Sequence, residues 1–225
     1  KPSSAASDVY KRQVYVPSLA KDLLEQIGFE ARESEFVDYK SGVSARMSIT
    51  AFENLLSTAE RRALRAGEEK TSVRLSDFMG IIPAITGKVE LVYEGEQEGA
   101  SAVAEILISS AVKTLFTEYF PKIEKLEKQN QKTPYQEIID WFFNESGGLE
   151  ITDDATDRQY QKELDKIIPL KQLIQKYAPE TSKEDLLFMK EFVLWGLAEY
   201  KKLNKDRFSE GYQFRDPFGS YISKL

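Results

Sequence analysis

The 225-residue chain contains no cysteine and no histidine. Without thiols there is no disulfide framework, and without imidazole no side chain titrates near neutral pH in its ordinary state. Structural zinc and Ser-His-Asp or Cys-His nucleophilic catalysis are therefore excluded. Any chemistry falls to carboxylates, lysine, arginine and hydroxyls. An excess of basic residues is missing too: 31 Lys and Arg stand against 37 Asp and Glu, a net charge of -6, with both signs interspersed. Binding to phosphate backbones needs a basic face that releases counterions, so a nucleic acid partner is not expected. No apolar run approaches the roughly 20 residues that span a bilayer. The most apolar stretch, Val103 to Phe120, is interrupted by Glu105, Lys113 and Glu118 in the manner of an amphipathic helix. The expectation is a cytoplasmic protein with no membrane contact.

A hydrophobic fraction of 41% is enough for a buried core, as one larger domain or two small ones. Lys1 to Gln13 (KPSSAASDVYKRQ) is Ser/Ala-rich and aperiodic. It resembles translated sequencing-adapter read-through and is set aside as a non-native or disordered segment, residues 1–13. From Val14 the period becomes helical. Leu19, Leu23, Leu24, Ile27 and Ala31 form one stripe after Pro17 and Ser18, and a polar connector follows from Glu33 to Met47. Ser48 reads as the N-cap of a long helix carrying Ile49, Phe52, Leu55, Leu56, Ala59 and Ala63, closed by Gly67. Its other face carries Glu53, Glu60, Arg61 and Arg65, either solvated or meeting a partner.

Ser76 predicts a cap for a short helix over Asp77 to Ile82, interrupted by Pro83 and ended by Gly87. Lys88 to Glu94 alternates in polarity, which suggests one short β element near 88–94. A helix over Ser101 to Phe120 stops at Pro121. Residues 122–133 are charged and poor in apolar side chains, as expected of a linker. Beyond it lie a helix from Tyr135 to Asn144, an acidic loop through Asp153, Asp154 and Asp157, two shorter helices around Gln159–Ile168 and Leu170–Tyr177, and a strong helix after Ser182. The tail from Phe208 is rich in Phe, Tyr, Gly and Ser and must pack against something. The expected fold class is all-α, a helical domain over 14–121 and a second small helical module over 134–225.

Three patterns carry possible chemistry. GIIPAITGKV (Gly80 to Val89) imitates a phosphate loop, but six residues separate its glycines, Pro83 lies among them and Val89 stands where a hydroxyl must reach the metal. The carboxylates Glu90, Glu94, Glu96 and Glu98 lack the ligand order of a calcium loop and read as a solvated edge. Asp153, Asp154 and Asp157 read as N-capping residues for the following helix.

GVSAR (Gly42 to Arg46), AERRAL (Ala59 to Leu64) and IPAITGKVELVYEGEQEG (Ile82 to Gly99), in that order after a VPSLAKDLL helix, resemble the lid of the MoxR and magnesium-chelatase-subunit-I branch of AAA+ ATPases. The resemblance spans about Val16 to Phe120. It extends more weakly into PYQEIIDWF (Pro134 to Phe142) and the helix after Ser182, which resemble the C-terminal extension of chelatase-like bacterial proteins. It implies an all-helical AAA+ lid bundle with Arg46 as the sensor-two residue, whose planar guanidinium would neutralise γ-phosphate charge. It also implies ATP and Mg2+ as cofactors of the complete protein, neither bound by these residues alone. The expected partners are an AAA+ core and neighbouring ring subunits, with a protein client possible. No Walker A, Walker B, sensor-one or arginine-finger segment of that family is found in these residues. The rival class is a non-enzymatic helical protein–protein interaction module.

Overall fold

The computed structural model describes residues 13–38, 40, 43, 45–128, 133–145 and 148–217. Residues 1–12 of the aperiodic N-terminal stretch, Gly42 and Ser44 of the GVSAR motif, part of the 122–133 segment, Gly147 and the last eight residues of the tail lie outside them.

The all-α expectation is corrected. Among the described residues, ten α-helices are accompanied by five strands in two small sheets. In chain order these are β1 (Gln13–Tyr15), α1 (Ser18–Glu33), α2 (Ala45–Ala66), β2 (Lys70–Ser72), a 3-10 segment (Leu75–Ile81), α3 (Ile82–Thr86), α4 (Tyr93–Glu98) and α5 (Ala100–Tyr119). Then come α6 (Ile123–Lys128), α7 (Gln136–Asn144), β3 (Leu149–Thr152), α8 (Asp157–Asp165), α9 (Ile168–Tyr177), α10 (Leu186–Glu199), β4 (Asn204–Phe208) and β5 (Gly211–Arg215).

The sheets arise where the chain offers short alternating stretches. β1 and β2 pair in parallel, Val14 opposite Thr71. β4 and β5 form an antiparallel hairpin, and β3 adds to the far edge of β5 with Ile151 opposite Tyr212. Tyr212 and Phe214 point to one side and are buried, while Gln213 and Arg215 are only partly covered. The aromatic tail thus supplies a hairpin whose apolar face lies against α10, with the Tyr212 ring 5.2 Å from that of Trp195. The β element expected near 88–94 is a single bridge, Val37 to Leu91. Asp38 N donates to Glu90 O and Val92 N to Phe36 O, and α4 then begins at Tyr93.

α5 is long and apolar enough to span a bilayer by length and composition alone, yet it is the centre of this fold. It buries Val103, Ala104, Leu107, Ile108, Ala111, Val112, Leu115 and Phe116, and α1, α3, α4 and α10 pack on it. Gly196 of α10 meets it most closely: a Cβ there would fall 2.0 Å from a ring carbon of Phe116. The Phe116 ring lies within 5.2–6.2 Å of Phe120, Tyr135, Phe192 and Tyr200. Aromatic side chains from both sides of 122–133 therefore share one core, and part of that segment is itself helical, with Ile123 buried.

Candidate functional site

The helix containing Arg46 starts at Ala45 rather than at Ser48. Arg46 therefore lies in the first turn of α2, exposed to solvent. Val43 before it is half-buried against the core.

The main concentration of buried charge lies at the other end of α2. Leu55, Ala59 and Ala63 form the buried stripe of this helix, and Arg62 falls on the same stripe, 5% exposed, while Arg61 and Arg65 face outward. Asp77 receives the Arg62 fork in a bidentate pair, Nε to Oδ1 at 3.1 Å and Nη2 to Oδ2 at 2.9 Å. Arg62 Nη1 donates to Thr71 Oγ1 at 2.9 Å and Nη2 to the Ser72 carbonyl at 2.7 Å. Burial pushes the Arg62 pKa down, and the charge and hydrogen bonds of Asp77 together with the charges of Asp157 and Tyr160 outweigh this, so the net shift is upward.

Arg74, 1% exposed, donates from Nη2 to the Ala155 carbonyl at 2.8 Å and to Asp157 Oδ1 at 2.9 Å. Its guanidinium lies 4.3 Å from the centroid of the Tyr160 ring. The Tyr160 hydroxyl donates to Glu191 Oε2 at 2.6 Å, and Glu191 accepts the Leu75 and Ser76 backbone N–H groups at 2.8 and 3.2 Å. Burial raises the Glu191 carboxyl above its ordinary range, opposed by the Tyr160 and Leu75 hydrogen bonds and by Arg74. The Tyr160 hydroxyl is raised as well, by burial first and then by the Glu191 charge.

This network joins α2, β2 and the 3-10 segment to α8 and α10. Its carboxylates are occupied by arginines, a tyrosine and backbone N–H groups, so its chemistry is positional. Asp157, expected as a helix cap, takes a different place. Thr156 is the N-cap, in a capping box with Gln159, and Asp157 in the first turn binds Arg74 and Thr71. Arg46 and Arg62 are sixteen residues apart on one helix, so a rise of ~1.5 Å per residue separates their Cα atoms by roughly 24 Å. The structure does not bring Arg46 into the network.

The remaining candidates are simply placed. The residues of the phosphate-loop imitation form the end of the 3-10 segment and α3 instead of a loop around an anion. Glu94, Glu96 and Glu98 are exposed on α4. Among the described residues no group of acidic side chains is arranged to hold a metal ion. Arg62, Arg74 and Glu191 escaped sequence reasoning as a set because 116 residues separate Leu75 from Glu191. The helical period alone could have marked Arg62 as buried.

Comparison with protein-family models, with curated proteins and with solved structures finds no match to this chain.

Proposed function

We propose that the chain is the lid and C-terminal part of a AAA+ ATPase of the MoxR and magnesium-chelatase-subunit-I branch, working with a nucleotide-binding core outside these residues. The observation that supports this most is the position of Arg46. It is an exposed arginine in the first turn of a 22-residue helix and the last residue of the GVSAR motif. A cation there can reach a phosphate presented by another body, which a buried arginine such as Arg62 cannot. In this reading ATP and Mg2+ belong to the complete cytoplasmic protein, and the coupled work is remodelling of a protein client or metal insertion.

The deciding measurement is steady-state ATPase activity of the protein expressed together with the coding sequence upstream of Val14. Arg46→Ala should lower turnover far more than nucleotide affinity, because charge stabilisation by a sensor arginine acts mainly in the transition state. Arg46→Lys should restore little, since an ammonium lacks the planar fork. Wild-type turnover in Arg46→Ala, or an upstream sequence without a Gly-x-x-x-x-Gly-Lys-Ser/Thr loop, overturns the reading.

A further inference from the structure

Between the C-terminal half of α2, the 3-10 segment and the neighbouring Asp153 and Arg207 lies a pocket of about 180 Å³. Its lining includes four arginines, Arg61, Arg62, Arg65 and Arg207, and two aspartates, Asp77 and Asp153. Arg62 and Asp77 neutralise one another in their buried bidentate pair. That leaves three arginines against Asp153 in the lining, a net charge of +2, or +1 once the Arg207–Glu105 pair is counted as well. In a chain whose overall charge is -6, such a focus of positive charge is not the consequence of general basicity.

Arg61 and Arg65 stand one turn apart on the outer face of α2. Like charges at this spacing repel, at a cost of a few tenths of a kcal/mol, unless an anion bridges them. Among the described residues neither makes an ion pair. Arg207 approaches from β4, 57% exposed, with Nη1 3.7 Å from Glu105 Oε1 and its guanidinium 6.0 Å from the centroid of the Tyr212 ring. Both contacts are at the long end of their range, and Arg207 already lines the pocket. The floor is rigid. Arg62 is fixed by Asp77, Thr71 and Ser72, and the 3-10 segment runs so close to α2 that a Cβ on Gly80 would fall 2.0 Å from Thr58 Oγ1. The volume far exceeds the ~10–15 Å³ that admits one water.

We infer that this pocket binds a small phosphate-class oxyanion, held by the forks of Arg61 and Arg65 from one side and Arg207 from the other. Guanidinium forks match the oxygens of such an anion in paired, charge-assisted hydrogen bonds. Asp153 is the opposing charge at the rim, and its removal should tighten binding. The site is separate from Arg46 and does not depend on the ATPase reading.

Titration of the chain with pyrophosphate, followed by calorimetry and by phosphorus NMR at about 0.15 M salt, tests the inference. Saturable one-to-one binding is expected. Arg61→Ala and Arg65→Ala should each weaken it by roughly tenfold, as loss of a charge-assisted contact does, and Arg207→Ala should weaken it from a different element. Asp153→Asn should bind more tightly, an outcome that misfolding cannot imitate. Arg32→Ala, an exposed arginine at the end of α1, should bind as the wild type does. Absence of saturable binding, retention in the Arg61→Ala/Arg65→Ala double variant, or equal loss in Arg32→Ala overturns the site. The ATPase measurement on Arg46 is unaffected by any of these results.

Discussion

Arg62 shows how a single charged residue can be committed to the interior of this protein. Its side chain is 4% exposed, as is that of Asp77, and burying either alone is far more costly than burying the hydrogen-bonded pair. Arg62→Ala leaves Asp77 with only the Arg74 N–H, at 2.8 Å, of its present partners. A loss of about 3–5 kcal/mol in unfolding free energy is expected, measured by urea denaturation. Arg62→Lys should recover little, because one ammonium cannot serve Asp77, Thr71 and the Ser72 carbonyl together. Glu191 makes a second residue-level prediction, on pH. Its carboxyl is raised above the ordinary 4.5 by burial, so the folded state binds that proton more tightly than the unfolded chain. The stabilisation is fully present below the unfolded value and is lost as pH rises through the folded one. Glu191→Gln cannot titrate. The stability of that variant minus wild type should therefore climb with pH from the ordinary carboxylate range upward, and a flat difference between pH 4 and 8, roughly the range that carboxylate shifts reach, contradicts the assignment.

At the scale of elements, one of the tightest packing constraints is Gly196, where α10 crosses α5. The atom that a Cβ would strike belongs to the buried Phe116 ring, wedged among four other aromatics, so it cannot swing aside cheaply. Gly196→Ala should cost about 1–3 kcal/mol despite its better helix propensity, a difference of ~1 kcal/mol in the other direction. Thermal denaturation measures it, and a stabilised variant shows that α10 can shift away from α5. Long helices with one apolar stripe were legible: Leu19, Leu23, Leu24 and Ile27 of α1 and Val103, Leu107, Ala111 and Leu115 of α5 are buried at helical spacing. The strands were not, although Leu149 and Ile151, and Tyr212 and Phe214, alternate with polar residues. Runs of three to five residues carry too few periods to outweigh a helical neighbourhood, and strand pairing depends on a partner distant in sequence. Arg46 could be named from motif context alone, while the Arg62–Arg74–Glu191 set required the fold to bring remote residues together.

For the whole molecule, the question is whether the segment 122–133 divides it energetically as its composition suggests. Its paucity of apolar side chains predicts a boundary, but packing across it is extensive. Phe116 and Phe120 share one aromatic cluster with Tyr135, Phe192 and Tyr200, Arg74 pairs with Asp157, and Glu191 accepts the backbone N–H groups of Leu75 and Ser76. Separating the two sides would expose aromatic rings and strip a buried carboxylate of its partners. Each of those costs on the order of 1–3 kcal/mol, together a large part of a typical 5–15 kcal/mol stability. A single cooperative transition is therefore expected. Both tryptophans, Trp141 and Trp195, lie on the C-terminal side, so fluorescence reports that side while far-ultraviolet dichroism reports the helices of both. The two signals should coincide in urea with one midpoint. Arg74→Ala, which cuts a link between the sides without touching either tryptophan, should move both midpoints together. Separate midpoints, or a fluorescence transition left in place by Arg74→Ala, would establish two units that dock after folding independently.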